Sequence, residues 1–101
     1  MLASRFGNLK FLAIGIKMDI EAKFTQKIEI SNSSKQKILL ILEPWAEEYW
    51  IEPNIGVEVI GEGGQGCFEI QYSEKGTLLV HAWSGSVVRV FFDGKELPPQ
   101  N

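Results

Sequence analysis

The sequence predicts an all-β domain of about seven strands, folded as an antiparallel β-sandwich or a small barrel. Three observations carry that expectation. Apolar and polar residues alternate with period two over short runs from Asp19 onward. Turn residues interrupt those runs roughly every eight to twelve positions, the spacing of sandwiches and barrels. No run there has the length and spacing of an amphipathic helix.

Phe24, Gln26, Ile28 and Ile30 alternate with Lys23, Thr25, Lys27 and Glu29, which gives a first strand with one apolar face. Ser31-Asn32-Ser33-Ser34 is a polar turn. Ile38-Leu39-Leu40-Ile41-Leu42 is continuously apolar, as expected of a central strand buried on both sides, and Pro44 ends it because proline cannot donate to a ladder. Glu47 to Glu52 reads as a short strand with Tyr49 and Ile51 on one face and Glu48, Trp50 and Glu52 on the other; Pro53-Asn54 turns the chain. Val57, Val59 and Gly61 then alternate with Glu58, Ile60 and Glu62, and Gly61 to Gly66 forms a glycine-rich bend.

Phe68, Ile70 and Tyr72 define the next inward face against Glu69 and Gln71, and Ser73-Glu74-Lys75-Gly76 is a hairpin loop. Leu78, Val80 and Ala82 oppose Thr77, Leu79, His81 and Trp83, and Ser84-Gly85-Ser86 turns again. The last strand sets Val88, Val90 and Phe92 against Val87, Arg89 and Phe91, ends at Asp93-Gly94 and leads into Pro98-Pro99. The domain organisation is therefore an N-terminal extension over residues 1–17, a single sandwich domain over 18–98 and a tail over 99–101. Met18 is a candidate for the true start, because the charge and periodicity of the rest begin there. The apolar run Phe11 to Ile16 is too short to span a bilayer and has no small-x-small cleavage site after it, so neither secretion nor membrane insertion is expected.

The 101 residues hold 10 Lys and Arg against 13 Asp and Glu, a formal charge of −3. That balance argues against a nucleic-acid partner, whose affinity comes largely from clustered cations. The acidity is local. Between Glu43 and Glu74 lie Glu43, Glu47, Glu48, Glu52, Glu58, Glu62, Glu69 and Glu74 with no Lys or Arg. Such a run reads as solvated outward positions of a sheet, with a basic partner as the sharper alternative. A single cysteine, Cys67, cannot form an intramolecular disulfide; a packed thiol and a reducing, cytoplasmic setting are expected.

One His and one Cys exclude blue-copper and zinc-ribbon sites, which need several such ligands. His81 is expected to be structural or superficial. Ser84 and Ser86 lie near it in sequence, yet no strand–turn–helix elbow surrounds them, so triad chemistry finds no frame. The run Gly61-Glu62-Gly63-Gly64-Gln65-Gly66 lacks the Lys and Ser/Thr of a phosphate loop and leads to a strand; it reads as a flexible β-turn. Glutamates without Asp/Asn-rich offsets do not make a calcium loop. No cofactor, metal or catalytic residue is expected.

The segment Glu43 to Pro53 is the unusual one, with three aromatics and four carboxylates in eleven residues. Aromatic rings beside acids suit either a protein-binding hot spot or a sugar-stacking surface. The candidate binding surface is Glu43, Trp45, Glu47, Glu48, Trp50, Glu52 and, should it share that face, Trp83.

Leu42-Glu43-Pro44-Trp45-x-x-x-Tyr49, Glu52-Pro53, Ala82-Trp83-x-Gly85-Ser86 and the closing Val90 to Leu97 resemble a group of small, single-domain bacterial proteins without assigned activity. The likeness covers roughly residues 24–97 and implies a compact sandwich, immunoglobulin-like or cupredoxin-like; for the latter the missing second His implies no copper function. The expected function is non-enzymatic: a cytoplasmic domain acting through protein–protein contact or self-association as a homodimer, with a carbohydrate-binding module as the alternative.

Overall fold

The alternation read from the sequence becomes nine strands in a computed structural model that describes residues 14–22, 25–73 and 75–101. They are β1 (Ile14–Ala22), β2 (Thr25–Asn32), β3 (Ile38–Glu43), β4 (Glu47–Ile51), β5 (Ile55–Glu62), β6 (Glu69–Ser73), β7 (Thr77–His81), β8 (Val87–Phe92) and β9 (Lys95–Leu97). A five-stranded sheet has the order β1-β2-β5-β8-β9 and a four-stranded sheet the order β4-β3-β7-β6. Each sheet keeps two edges, so the architecture is an open sandwich and not a closed barrel. Pairing is antiparallel throughout except between β3 and β7, which run parallel with Leu40 opposite Leu78.

Between the sheets, Ile28, Ile30, Val57, Val59 and Val90 of the larger meet Ile38, Leu40, Leu42, Tyr49, Ile51, Leu78 and Val80 of the smaller. These are the positions that the period-two pattern assigns to the inner face. Burial of such a set is the main stabilising term of a chain without a disulfide. Among the described residues no helix is long and apolar enough to cross a membrane.

The structure corrects the sequence reading at several places. Two strands beyond the expected seven are present. β1 begins at Ile14, so residues 14–17, expected in the extension, pair with β2: Ile16 lies opposite Ile30 and Met18 opposite Ile28. The rest of that extension, residues 1–13, lies outside the described residues, as do Lys23, Phe24 and Glu74. β9 arises because Asp93 and Gly94, at φ 51° and 80°, form a two-residue hairpin turn that returns the chain against β8.

Ile38–Leu42 is central in its sheet yet buried on one face only. Leu39 and Ile41 are half-buried on the outside, because a two-layer sandwich covers each sheet once.

The glycine-rich bend is a packed joint. Trp83 is buried, meets Phe68 edge-on with centroids 4.9 Å apart, and donates its indole N–H to the carbonyl of Gly63 at 2.7 Å. Buried Gln26 donates to the carbonyl of Gly66 and accepts from the backbone N–H of Phe68. The bend is thereby pinned from β2 on one side and from the β7–β8 connection on the other. Cys67, expected to be packed, is exposed, because its neighbour Phe68 takes the inward position.

Candidate functional site

The outer faces of the two sheets differ in chemistry. On the larger sheet, Lys27 sits across from Glu58 at 3.5 Å and beside Glu29 at 3.6 Å, and Lys17 is 3.9 Å from Asp19. Charges there are locally matched, and Glu58 has the counter-charge that the local sequence does not supply. On the smaller sheet the outward positions are Glu48 and Trp50 on β4, Leu39, Ile41 and Glu43 on β3, Thr77, Leu79 and His81 on β7, and Glu69 and Gln71 on β6.

Register brings the apolar members of that set together. Trp50 lies opposite Leu39, Ile41 lies opposite Leu79, and Leu39 and Ile41 are next-but-one neighbours on the same strand. Cross-strand neighbours on one face are about 5 Å apart, so these four side chains form one patch. Trp50 is 40% exposed and the other three are half-buried. Glu48 borders Ile41, while Glu43 and Glu69 flank His81 across β7. The arrangement is an apolar centre with an acidic rim.

Two partners hold this face. Lys37 projects its ammonium over the Trp50 ring, 4.5 Å from the centroid, an interaction that contributes roughly 0.5–1 kcal/mol at an exposed site. The C-terminal residues hold the free edge of β4. Gln100 N–H donates to the Glu48 carbonyl at 2.8 Å, and the Trp50 N–H donates to Gln100 Oε1 at 3.0 Å. Asn101 accepts from the Glu48 N–H at 2.9 Å through Oδ1 and donates to the Ala46 carbonyl at 2.9 Å. Past Pro98-Pro99 the chain thus leaves the β8–β9 pairing of the larger sheet and bonds to the edge strand of the smaller one.

The remaining candidate residues fall in different places. Trp45, 46% exposed, is in the β3–β4 turn, at the opposite end of β4 from Trp50. Glu47 points to the inner side and accepts the Tyr49 hydroxyl at 3.0 Å. Burial, that hydrogen bond and the nearby charges of Glu47 and Glu96 push the Tyr49 phenol above its ordinary range. Glu52 is exposed just beyond β4.

Trp83 does not join the surface. β7 ends at His81, so the alternation that aligns Trp83 with Leu79 and His81 stops two residues short of it, and the ring turns into the core. The signal for this was Gly61, whose missing side chain makes room for it. Leu39, Ile41 and Leu79 were missed as surface residues for the converse reason: their apolarity reads as core until the number of layers is known. Among the described residues no three His, Cys, Asp or Glu side chains converge as metal ligands. No family model matches the chain, and no curated protein or solved structure matches it either.

Proposed function

We propose that the protein is a non-enzymatic interaction domain whose outer β4-β3-β7-β6 face binds another protein through a basic, partly apolar surface. The observation that carries this reading is the exposed Trp50 set in one patch with Leu39, Ile41 and Leu79 and rimmed by Glu43, Glu48 and Glu69. Apolar centres anchored by an aromatic residue and surrounded by polar groups are the usual anatomy of protein interfaces. Charge favours a basic partner over a second copy, since stacking two such faces brings acid against acid. Lys37 over Trp50 is an internal example of the contact that a partner's Arg or Lys would make. The exposed Cys67 supports a reducing, cytoplasmic setting.

The carbohydrate reading draws less support, because Trp83 is in the core and Trp45 and Trp50 are at opposite ends of β4. A photoreactive benzophenone residue at position 50, irradiated in native lysate, tests the proposal against the same residue at position 89 on the other outer face. The expected result is a discrete adduct with a basic protein at position 50 alone, lost in an Ile41→Glu background. An adduct at the mass of a dimer, or equal labelling at both positions, would overturn it. Quenching of tryptophan fluorescence by a sugar would favour the carbohydrate alternative.

A further inference from the structure

The free edge of β4 is closed by groups that another chain's backbone can replace. Four backbone groups face the tail there: the carbonyls of Ala46 and Glu48 and the N–H groups of Glu48 and Trp50. Of the four bonds, one is backbone to backbone, from Gln100 N–H to the Glu48 carbonyl. The other three use the side-chain amides of Gln100 and Asn101. A primary amide carries the same carbonyl and N–H pair as a peptide group, so these side chains imitate the backbone of an added strand. The tail runs antiparallel to β4, since Gln100 meets Glu48 and Trp50 while Asn101 meets Ala46 and Glu48.

The imitation is loosely held. Residues 98–101 are exposed, and Pro98 and Pro99 have no N–H to donate. Two flexible side chains must each be fixed in one conformation, an entropy cost that a strand's own peptide groups avoid. Segments held by exposed hydrogen bonds open locally at low free energy.

The surroundings of the edge set the chemistry of what would replace the tail. On the outer face, residues of an added strand opposite Glu48 and Trp50 would lie beside a carboxylate and a 40% exposed ring. The ring already holds the Lys37 ammonium, so the position opposite Trp50 suits an apolar side chain and the position opposite Glu48 a cation. No Lys or Arg occurs between Glu43 and Glu52 to compete for that carboxylate from the same segment.

We infer that the β4 edge is a strand-addition site, closed by Gln100 and Asn101 and opened to an extended partner segment that sets Lys or Arg opposite Glu48. Strand addition takes its affinity from main-chain hydrogen bonds and its specificity from alternate side chains. The choice of a basic partner rests on the interaction face proposed above, and the edge names how that partner engages it.

The probe is the peptide acetyl-Thr-Val-Thr-Lys-Thr-Val-amide, titrated into the isotope-labelled full chain and followed by amide chemical shifts. The inference expects saturable shifts centred on residues 46–50 and 100–101. Methylating the backbone nitrogens of the peptide's Lys and final Val removes the donors to Glu48 and Ala46 and should weaken binding at least about tenfold. Methylating the nitrogens of its two inner Thr residues, which face away from β4, should change affinity less than about threefold. Glu in place of the peptide's Lys should bind more weakly. The Gln100→Ala/Asn101→Ala variant should bind the peptide about threefold or more tightly, because its edge is open for a larger share of the time. Absence of saturable shifts, equal effects of the two methylations, or an unchanged affinity in the double variant would overturn the inference. Binding indifferent to methylation and centred on Leu39, Ile41 and Leu79 would overturn strand addition and leave the interaction face standing. Methylation-sensitive pairing at the edge, with no basic adduct from position 50, would overturn the face and leave the edge.

Discussion

The place that a side chain on Gly61 would occupy is filled by the indole of Trp83. A Cβ built on Gly61 would stand 2.7 Å from Trp83 Cη2 and 2.7 Å from Phe68 Cζ. Gly66, on the far side of the bend, would put its own Cβ 2.5 Å from Trp83 Cβ. The glycine-rich segment, which reads from the sequence as a flexible β-turn, is spaced for an aromatic plug at one end of the sandwich.

Gly61→Ala should therefore be costly although it adds one methyl group. Overpacking a filled core site costs about 1–3 kcal/mol, and each kcal/mol lowers the melting temperature of a domain this size by about 4–8 °C. Thermal unfolding followed by near-ultraviolet circular dichroism, to which Trp83 contributes, is the measurement. An unchanged melting temperature would mean that the plug does not sit over Gly61.

The three tryptophans should separate by solvent access. Trp45 and Trp50 are 46% and 40% exposed and Trp83 is 9% exposed. Acrylamide should quench two emitters readily and leave a third shielded. Trp50→Ala should keep the fold and remove one quenchable component, whereas Trp83→Ala should lose about 3–5 kcal/mol of stability.

Asn32 should matter more to stability than its polarity suggests. Asn32→Ala removes the buried donor to the Ile51 carbonyl, and a buried carbonyl left without that partner costs about 1–3 kcal/mol, whereas the Gln36 carbonyl keeps the Ser34 hydroxyl. Urea unfolding should show that loss. Amide exchange should rise first over residues 33–37, the loop whose course the Asn32 hydrogen bonds set.

The tail shields a strand edge. Deleting Gln100 and Asn101 removes every hydrogen bond that the tail makes to Ala46, Glu48 and Trp50 and leaves the edge of β4 open to pairing with another chain. Sedimentation of the truncated chain should show concentration-dependent self-association above that of the parent. Identical profiles would mean that the tail protects nothing.

Alkaline pH should destabilise the fold through Tyr49. Burial, followed by the Glu47 hydrogen bond and the charges of Glu47 and Glu96, raises its phenol above the ordinary value of 10.0. The folded state then holds a proton that the unfolded state releases, so unfolding free energy falls as pH rises above about 10. Denaturant unfolding at a series of alkaline pH values should show this decline in the parent and a shallower one in Tyr49→Phe.

Local alternation was enough to identify the strand class, the inner face of β2, β4, β5 and β7, and the outward position of Trp50. A strand's two faces follow from its period of two, and that period is written in neighbouring residues. The Asp93-Gly94 turn and the Ile14, Ile16, Met18 alternation were also present in the sequence. They imply the β8–β9 hairpin and β1, yet they lie beside Pro98-Pro99 and within a run that resembles a leader.

What the tertiary structure alone decided lies between elements distant along the chain. Whether Leu39, Ile41 and Leu79 are core or surface depends on how many layers cover a sheet. The inward turn of Trp83 depends on where β7 stops and on the space left by Gly61. The tie between the β2–β3 loop and the β6–β7 turn, where Leu39 N–H donates to the Gly76 carbonyl, depends on the parallel pairing of β3 and β7. The sequence by itself determined the kind of element at each position, because that is set by neighbours. The patch, the aromatic plug and the guarded edge were decided by long-range pairing, to which no short window of residues has access.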